Sequence, residues 1–316
     1  MRPLRVSLYS SRSELSRDAT AMKTLRIMVS RHSAFYSPLL ATFAAGFLRE
    51  EGLDATYHVV PPGRGVGEFL ASGEMDVAQS AVSYSWGMLE NGATPAAVHF
   101  GQINQRDGFF IASRTPLPFD WEMLGKGRLM YVHGGQPQAM LRYALHKQGI
   151  DLAVVPAVNA GDTGSMLCAF RDGQADYFHE QAPYPHQLEV EGRAQVVAAV
   201  GAVIGDVAFS SLAATPAWLR RPEAVQFMRA YRKARVWARS APPARIADKL
   251  QRLFPDTDRM ALERGLAACQ RLGCWDGEPV IDPAHYEVAL DVFQHSRLIT
   301  RRHAYSDLVV RPPDER

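Results

Sequence analysis

Apolar and polar positions alternate along the first two-thirds of the chain with two periods, one near two residues and one near three and a half. Residues 25–29, Leu-Arg-Ile-Met-Val, read as a buried strand, and residues 38–50 follow with helical spacing before Gly52. Residues 54–60 alternate apolar and polar, as a strand with one buried face does. A glycine-rich turn at 61–67 leads into a helix ending near Ser72, then a strand at 76–80. Further strands are expected at 97–104, 108–113, 128–133, 154–159, 175–179 and 195–200. Helices fall between most of them, notably at 136–148 and 164–172. Such alternation predicts an α/β protein with parallel sheets covered by helices. The last third changes character. In 222–239, Val225, Met228, Tyr231, Ala234 and Trp237 recur three apart and form one apolar stripe. The opposite face carries Arg229, Arg232, Lys233, Arg235 and Arg239; a solvated face is the expectation, a basic docking surface the alternative. Helices at 244–253, 258–272 and 283–296 complete a helical C-terminal wrap.

Two short segments match each other. Residues 70–77 read LASGEMDV and residues 170–177 read FRDGQADY, sharing a large apolar residue, a glycine, and an aspartate that opens a strand. The glycine suits the left-handed position that closes a helix, and the aspartate suits the turn that follows. Two similarly wound lobes are therefore expected. Ligands of open α/β sheets sit beyond the carboxyl ends of parallel strands. The residues just past the twin strands are Ser80, Ala81 and Ser83 in one lobe, and His179, Glu180 and Gln181 in the other. If the lobes face each other, these two clusters converge on one cleft.

Composition narrows the classes without choosing among them. Lys and Arg total 35 against 33 Asp and Glu, a net charge of +2 that gives no electrostatic footprint for nucleic acid. Three cysteines, Cys168, Cys269 and Cys274, form neither a disulfide framework nor a zinc pattern. The longest nearly unbroken apolar run, 196–204, is far shorter than the ~20 residues of a bilayer-crossing helix. The first 23 residues hold five basic residues and five serines but no apolar leader core. Residues 1–23 are read as a loose arm or an over-called start. The chain as written is expected in the cytoplasm, and in the periplasm if its true start lies upstream with a signal segment.

Several loops offer binding chemistry. The turn Pro61-Pro62-Gly63-Arg64-Gly65-Val66-Gly67 precedes a helix and is a structural turn or an anion-contacting loop, with Arg64 as the counter-charge. It has neither the Lys-Ser/Thr of a P-loop nor a full GxGxxG, so no nucleotide cofactor is implied. His32, Ser33 and Tyr36 follow the first strand, where an aromatic ring can cover a ligand or pack in the core. Asn104 ends a strand, and Arg31 and Arg106 join Arg64 in loops at the rim of the first lobe. On the second lobe, Gly135, Gln136 and Thr163 stand at helix starts, whose N–H groups favour anions. His179 and Glu180 lack HExxH spacing toward His186, so hydrogen bonding to a ligand, with Tyr184 stacking beside it, is expected and a metal is not. No GxSxG elbow is present. A ligand with an acidic end toward Arg64 and a donor end toward Glu180 suits both walls.

These residues carry a resemblance. Arg31-His32-Ser33, Phe35-Tyr36-Ser37-Pro38 and the passage FLREEGLDATYHV at 47–59 resemble the opening of substrate-binding proteins of nitrate, sulfonate, taurine and thiamine-precursor importers, a group that includes thiamine-pyrimidine-synthase-like proteins. The passage Leu70 to Ala78 is similar to the family's LxxGxxDxA, and Gly173, Asp176 and Glu180 are similar to its GxxDA…EP. The resemblance spans about 24–215 and implies a two-lobed, type II periplasmic-binding-protein fold. It further implies a small polar or anionic ligand held between lobes that close on a hinge, and an ABC permease as partner. The alternative is a cytoplasmic enzyme on the same scaffold acting on a thiamine-pyrimidine-like or small carboxylate compound. The expected division is 24–115 plus 207–316 as a discontinuous first lobe, with 116–206 inserted as the second.

Overall fold

The computed structural model describes residues 22–115 and 118–315. The arm expected at 1–23 lies outside them up to residue 21, and Lys23 already opens the first strand.

Among the described residues, ten strands form two five-stranded sheets. Numbered along the chain they are β1 (Lys23–Val29), β2 (Leu53–Val59), β3 (Val77–Ser80), β4 (Val98–Asn104), β5 (Phe109–Ser113), β6 (Leu129–Tyr131), β7 (Ala157–Val158), β8 (Tyr177–Gln181), β9 (Gln195–Ala199) and β10 (Ser210–Ala214). The first sheet has the order β2-β1-β3-β10-β4 and the second β7-β6-β8-β5-β9. Ile27 of β1 stands level with Tyr57 of β2 and Val77 of β3, all parallel.

Neither sheet is wholly parallel. β10 runs against β3 and β4, and β5 runs against β8 and β9. The reason is the chain's path, which crosses from sheet to sheet at 105–108 and returns through 205–209, so each sheet receives one strand from the other side. This moves the expected boundary. A limit at 115 puts β5 in the first lobe, yet both its neighbours lie in the second sheet, so division by sheet falls between Asn104 and Phe109. β10 escapes sequence reading because Ser-Ser-Leu-Ala-Ala has little β-propensity; its small side chains are all buried between β3 and β4.

The helices follow the expected pattern with local breaks. Residues 38–50 are two helices, α1 (Ser37–Ala44) and α2 (Phe47–Glu50), separated at Gly46, whose φ of 94° no ordinary residue adopts readily. The twin segments fold as one unit used twice. α3 (Val66–Ala71) ends at Gly73 and α6 (Thr163–Arg171) at Gly173, with φ of 72° and 81°. In both, the aspartate N–H donates to the first arginine of the neighbouring strand region: Asp76 N to Arg26 O and Asp176 N to Arg128 O, each 2.9 Å. Each carboxylate also takes that arginine's own N–H, at 2.9 Å for Asp76 and 2.8 Å for Asp176. Each helix then covers a satellite apolar cluster, Phe69 and Leu70 with Met28 and Ala78, Met166 and Phe170 with Met130 and Phe178.

The remaining helices are α4 (Val82–Glu90), α5 (Gly135–Lys147), α7 (Tyr184–Val190), α8 (Val200–Ile204), α9 (Pro222–Ser240), α10 (Pro243–Leu250), α11 (Arg259–Leu272), α12 (Pro283–His295) and α13 (Tyr305–Leu308). The wrap touches both lobes: α9 packs on α1 and α2, α11 on α7, and α12 on α4 and α5. Three basic residues of α9 pair with carboxylates of other elements. Arg229 and Lys233 pair with Glu51, and Arg232 with Asp314 and Glu278. Arg235, expected on the polar face, is buried and donates to the carbonyls of Gln102 (3.1 Å), Ile103 (2.6 Å) and Asp276 (2.8 Å). Among the described residues no helix is long and apolar enough to cross a membrane.

Candidate functional site

The sheets present their carboxyl ends to each other, and the loop after β1 meets the end of β8. The chain leaves β1 through Ser30, Arg31 and His32 and enters a 3-10 turn, Ala34–Tyr36, whose cap Ser33 accepts the Phe35 N–H at 3.2 Å. Four contacts from this loop reach the other lobe. Ser33 Oγ donates to Ala182 O (2.9 Å), Tyr184 Oη donates to His32 O (3.3 Å), and Gln181 Nε2 donates to Tyr36 Oη (3.4 Å). The fourth is an ion pair: Arg31 Nη1 donates to both oxygens of Glu180, at 2.7 and 2.9 Å.

Glu180 is 0% exposed and Arg31 30% exposed. The carboxylate has no spare capacity. Oε1 also accepts the Gln181 N–H (2.7 Å), and Oε2 also accepts the Thr163 hydroxyl (2.8 Å). Three donors therefore make four contacts, two to each oxygen, which is what a buried charge needs. The donor end expected to face Glu180 has no place here; the carboxylate instead fixes the guanidinium. Among the described residues, Nε and Nη2 of Arg31 have no hydrogen-bond partner. Those three N–H groups belong to a side chain that is 30% exposed.

Aromatic rings surround this pair. Phe109 lies 6.0 Å from the Arg31 guanidinium carbon and stacks on His179, centroids 4.7 Å apart. Burial first, and Arg31 second, hold His179 at a pKa of about 3, so it is neutral. Tyr184 is pushed up to about 12, by burial and then by Glu180. A second bridge closes the far side: Ser83 Oγ donates to Gln136 Oε1 (3.2 Å), whose Nε2 donates to Phe209 O (2.8 Å).

Thus Ser33, Tyr36, Ser83, Gln136, Thr163, Glu180, Gln181 and Tyr184 meet at one junction. Ser80 is buried at the end of β3 and Ala81 caps α4; Gly135 opens α5 at an exposed point. The side chains of the other expected residues have partners of their own. Arg64 pairs with Glu68 (2.9 Å) and lies 3.9 Å over the Phe69 ring. The glycines beside it serve packing, since a Cβ on Gly65 would come within 2.2 Å of the Tyr84 hydroxyl. Arg106 pairs with Asp206 (2.7 Å) on the crossing segments. His32 stacks on Phe254 and bonds Tyr57 Oη (2.7 Å) and Leu253 O (2.8 Å) within its own lobe. Asn104 donates to Phe35 O (2.7 Å) and accepts from Ser210. Sequence reading missed Asp107, buried on the crossing segment with Oδ1 accepting the Phe109 N–H (2.6 Å). Its signal was the polar run 104–107 set between two apolar strands.

Comparison with known proteins adds the family context. A family described as "NMT1/THI5 like" matches residues 34–244. The chain is 28% identical over 283 residues to the "Putative binding protein YtlA" of Bacillus subtilis (strain 168), covering 88% of this chain and 85% of that one. It is similar in fold to the alkanesulfonate-binding protein SsuA from Xanthomonas axonopodis pv. citri bound to MOPS, with TM-score 0.69, 18% identity and coverage of 91% and 98% of the two chains. It is also similar in fold to the desulfurization enzyme DSZB, with TM-score 0.64, 15% identity and coverage of 93% and 98%.

Proposed function

The chain belongs to the NMT1/THI5-like family, and from that premise we propose that it is a substrate-binding receptor of the importer type, holding a small anionic molecule between its two lobes. The observation that carries this reading is Arg31. Its Nη1 is locked to a buried carboxylate from the opposite lobe, while Nε and Nη2 stay unengaged on a side chain still 30% exposed. In this closed arrangement the remaining N–H groups of the planar fork suit carboxylate, sulfonate or phosphate oxygens.

The crossing segments at 105–108 and 205–209 are where the lobes would pivot. Ligand entry requires the Arg31–Glu180, Gln181–Tyr36 and Tyr184–His32 contacts to part, and closure restores them around the anion. The alkanesulfonate-binding neighbour supports a sulfonate among the candidate ligands. An importer's receptor delivers its ligand to a permease, so that partner belongs to the reading, as does a place of action outside the cytoplasm.

Turnover is the weaker reading on chemical grounds. The hydroxyls of Ser30, Ser33 and Ser83 each donate to an amide or carbonyl oxygen, at 2.7, 2.9 and 3.2 Å, and not to a base that would activate them.

Calorimetric titration with ethanesulfonate, isethionate, butyrate and succinamate tests the proposal. Arg31→Gln should weaken binding by about tenfold to a hundredfold, the loss of one or more charge-assisted hydrogen bonds. Binding confined to neutral or cationic compounds, or anion affinity unchanged in Arg31→Gln, would overturn it.

A further inference from the structure

Buried polar atoms without partners are rare in folded proteins, and each one costs stability. Among the described residues seven such side-chain atoms occur, and four of them belong to three residues built around Phe109: Asp107 Oδ2, Gln181 Oε1, and both ring nitrogens of His179. Asp107 caps the Phe109 N–H, His179 stacks on the Phe109 ring, and Gln181 stands directly across from Phe109 in the β5–β8 pairing. His179 and Gln181 share one face of β8 because side chains alternate along a strand, while Glu180 between them points to the other. One strand end thus offers a charged mount on one face and unsatisfied neutral groups on the other.

We infer that Asp107, His179 and Gln181 form a second subsite, beside the Arg31 subsite, that receives a neutral hydrogen-bonding group of the same ligand, such as a hydroxyl or carboxamide. The inference rests on the anion reading above and extends it from charge to specificity. The chemistry of the three residues is complementary to such a group. Gln181 Oε1 only accepts, and neutral His179 offers one donor and one acceptor. Burial raises the Asp107 carboxyl to about 8, so at neutral pH it too carries a proton and can donate. A second charge would be poorly received, because nothing in the cluster is ionised to balance it. Gln181 lies against the lobe junction, where its Nε2 reaches Tyr36 Oη in the first lobe; in this proposal, parting the lobes opens the subsite there. A ligand group that satisfies these atoms removes a cost the free protein carries, which makes the site selective for molecules that have one.

Two matched pairs of anions test this. Isethionate differs from ethanesulfonate by a hydroxyl, and succinamate differs from butyrate by a carboxamide in place of the terminal methyl group. In calorimetry the unaltered protein should bind the polar member of at least one pair about tenfold or more tightly than its partner. In His179→Phe, which keeps the stack on Phe109, the members of that pair should bind alike, and the melting temperature of the free protein should hold or rise. Gln181→Leu should also narrow the preference, with some stability lost through the Tyr36 bond. Equal binding within both pairs by the unaltered protein, or a preference that survives His179→Phe, overturns the second subsite while leaving the anion reading intact. Loss of no affinity in Arg31→Gln, or no binding by any of the four compounds, overturns the anion reading itself.

Discussion

β3 and β8 occupy the same place in the two copies of one helix–Gly–x–x–Asp–strand unit, with Asp76 matched by Asp176, Gln79 by His179 and Ser80 by Glu180. The copies use those places differently. In the first lobe Gln79 turns inward: its Oε1 accepts the Ser30 N–H (3.0 Å) and hydroxyl (2.7 Å), and its Nε2 donates to Ser80 O (3.2 Å). In the second, His179 leaves two ring nitrogens unpaired and Glu180 crosses the junction to Arg31. One copy is self-satisfied, and the other is left open toward its partner lobe. The fold unit supplies the frame, and the two residues after it decide whether the strand end is scaffold or site.

The largest test of that contrast lies in the aspartates. Asp76 is buried and accepts from Arg26 N (2.9 Å), Nε (2.9 Å) and Nη2 (2.7 Å), whereas Asp176 is about half exposed. Asp76→Ala should cost about 3 kcal/mol in denaturant unfolding and Asp176→Ala about 1 kcal/mol. Equal costs would mean that the two units carry equal structural weight.

Proton linkage separates the lobes next. Burial holds His99 and His186 at about 4 and His179 at about 3, below the unfolded value near 6.5. Between those limits the unfolded chain binds more protons, so stability falls as the pH drops through that window. Asp107 works in the opposite sense. Its folded value of about 8 exceeds the unfolded 3.8, so its contribution is lost as the pH rises between them. Stability should therefore peak between about pH 6 and 7, with limbs of ~1.4 kcal/mol per proton per pH unit. Asp107→Asn should flatten the alkaline limb, and His179→Phe should make the acid limb shallower, both read from denaturation midpoints across the pH range.

Glu180→Gln should cost about 1–2 kcal/mol, less than a fully buried pair because Arg31 is partly exposed. It should also raise the radius of gyration in solution scattering as the lobes part. Ser80→Ala, at the matching position, should leave the radius unchanged. The smallest effect belongs to Arg64→Ala: a few tenths of a kcal/mol from an exposed i,i+4 pair, and no change in anion affinity by calorimetry.

The sequence carried much of the frame because repeated local chemistry marks it. The Gly73 and Gly173 turns and the aspartates that follow them were legible, and with them the two lobes and the residues past each strand. The strand β10 was not, since four small residues and one leucine show no alternation when every position is buried. Side-chain pairing was equally silent: nothing told that Arg64 would turn to its near neighbours Glu68 and Phe69, or that the partner of Arg31 lay 149 residues away. Asp107 stayed hidden because its importance comes from what it fails to bond, which only packing reveals.

The central claim is that Arg31, mounted on Glu180, is the anion contact. The measurement that tests it most directly is the arginine Nε–H resonance spectrum, assigned by substitution, during titration with isethionate or succinamate. The Arg31 signal should move saturably and in step with the calorimetric isotherm, while that of Arg64 stays in place. An isotherm that saturates while the Arg31 resonance remains still would contradict the account.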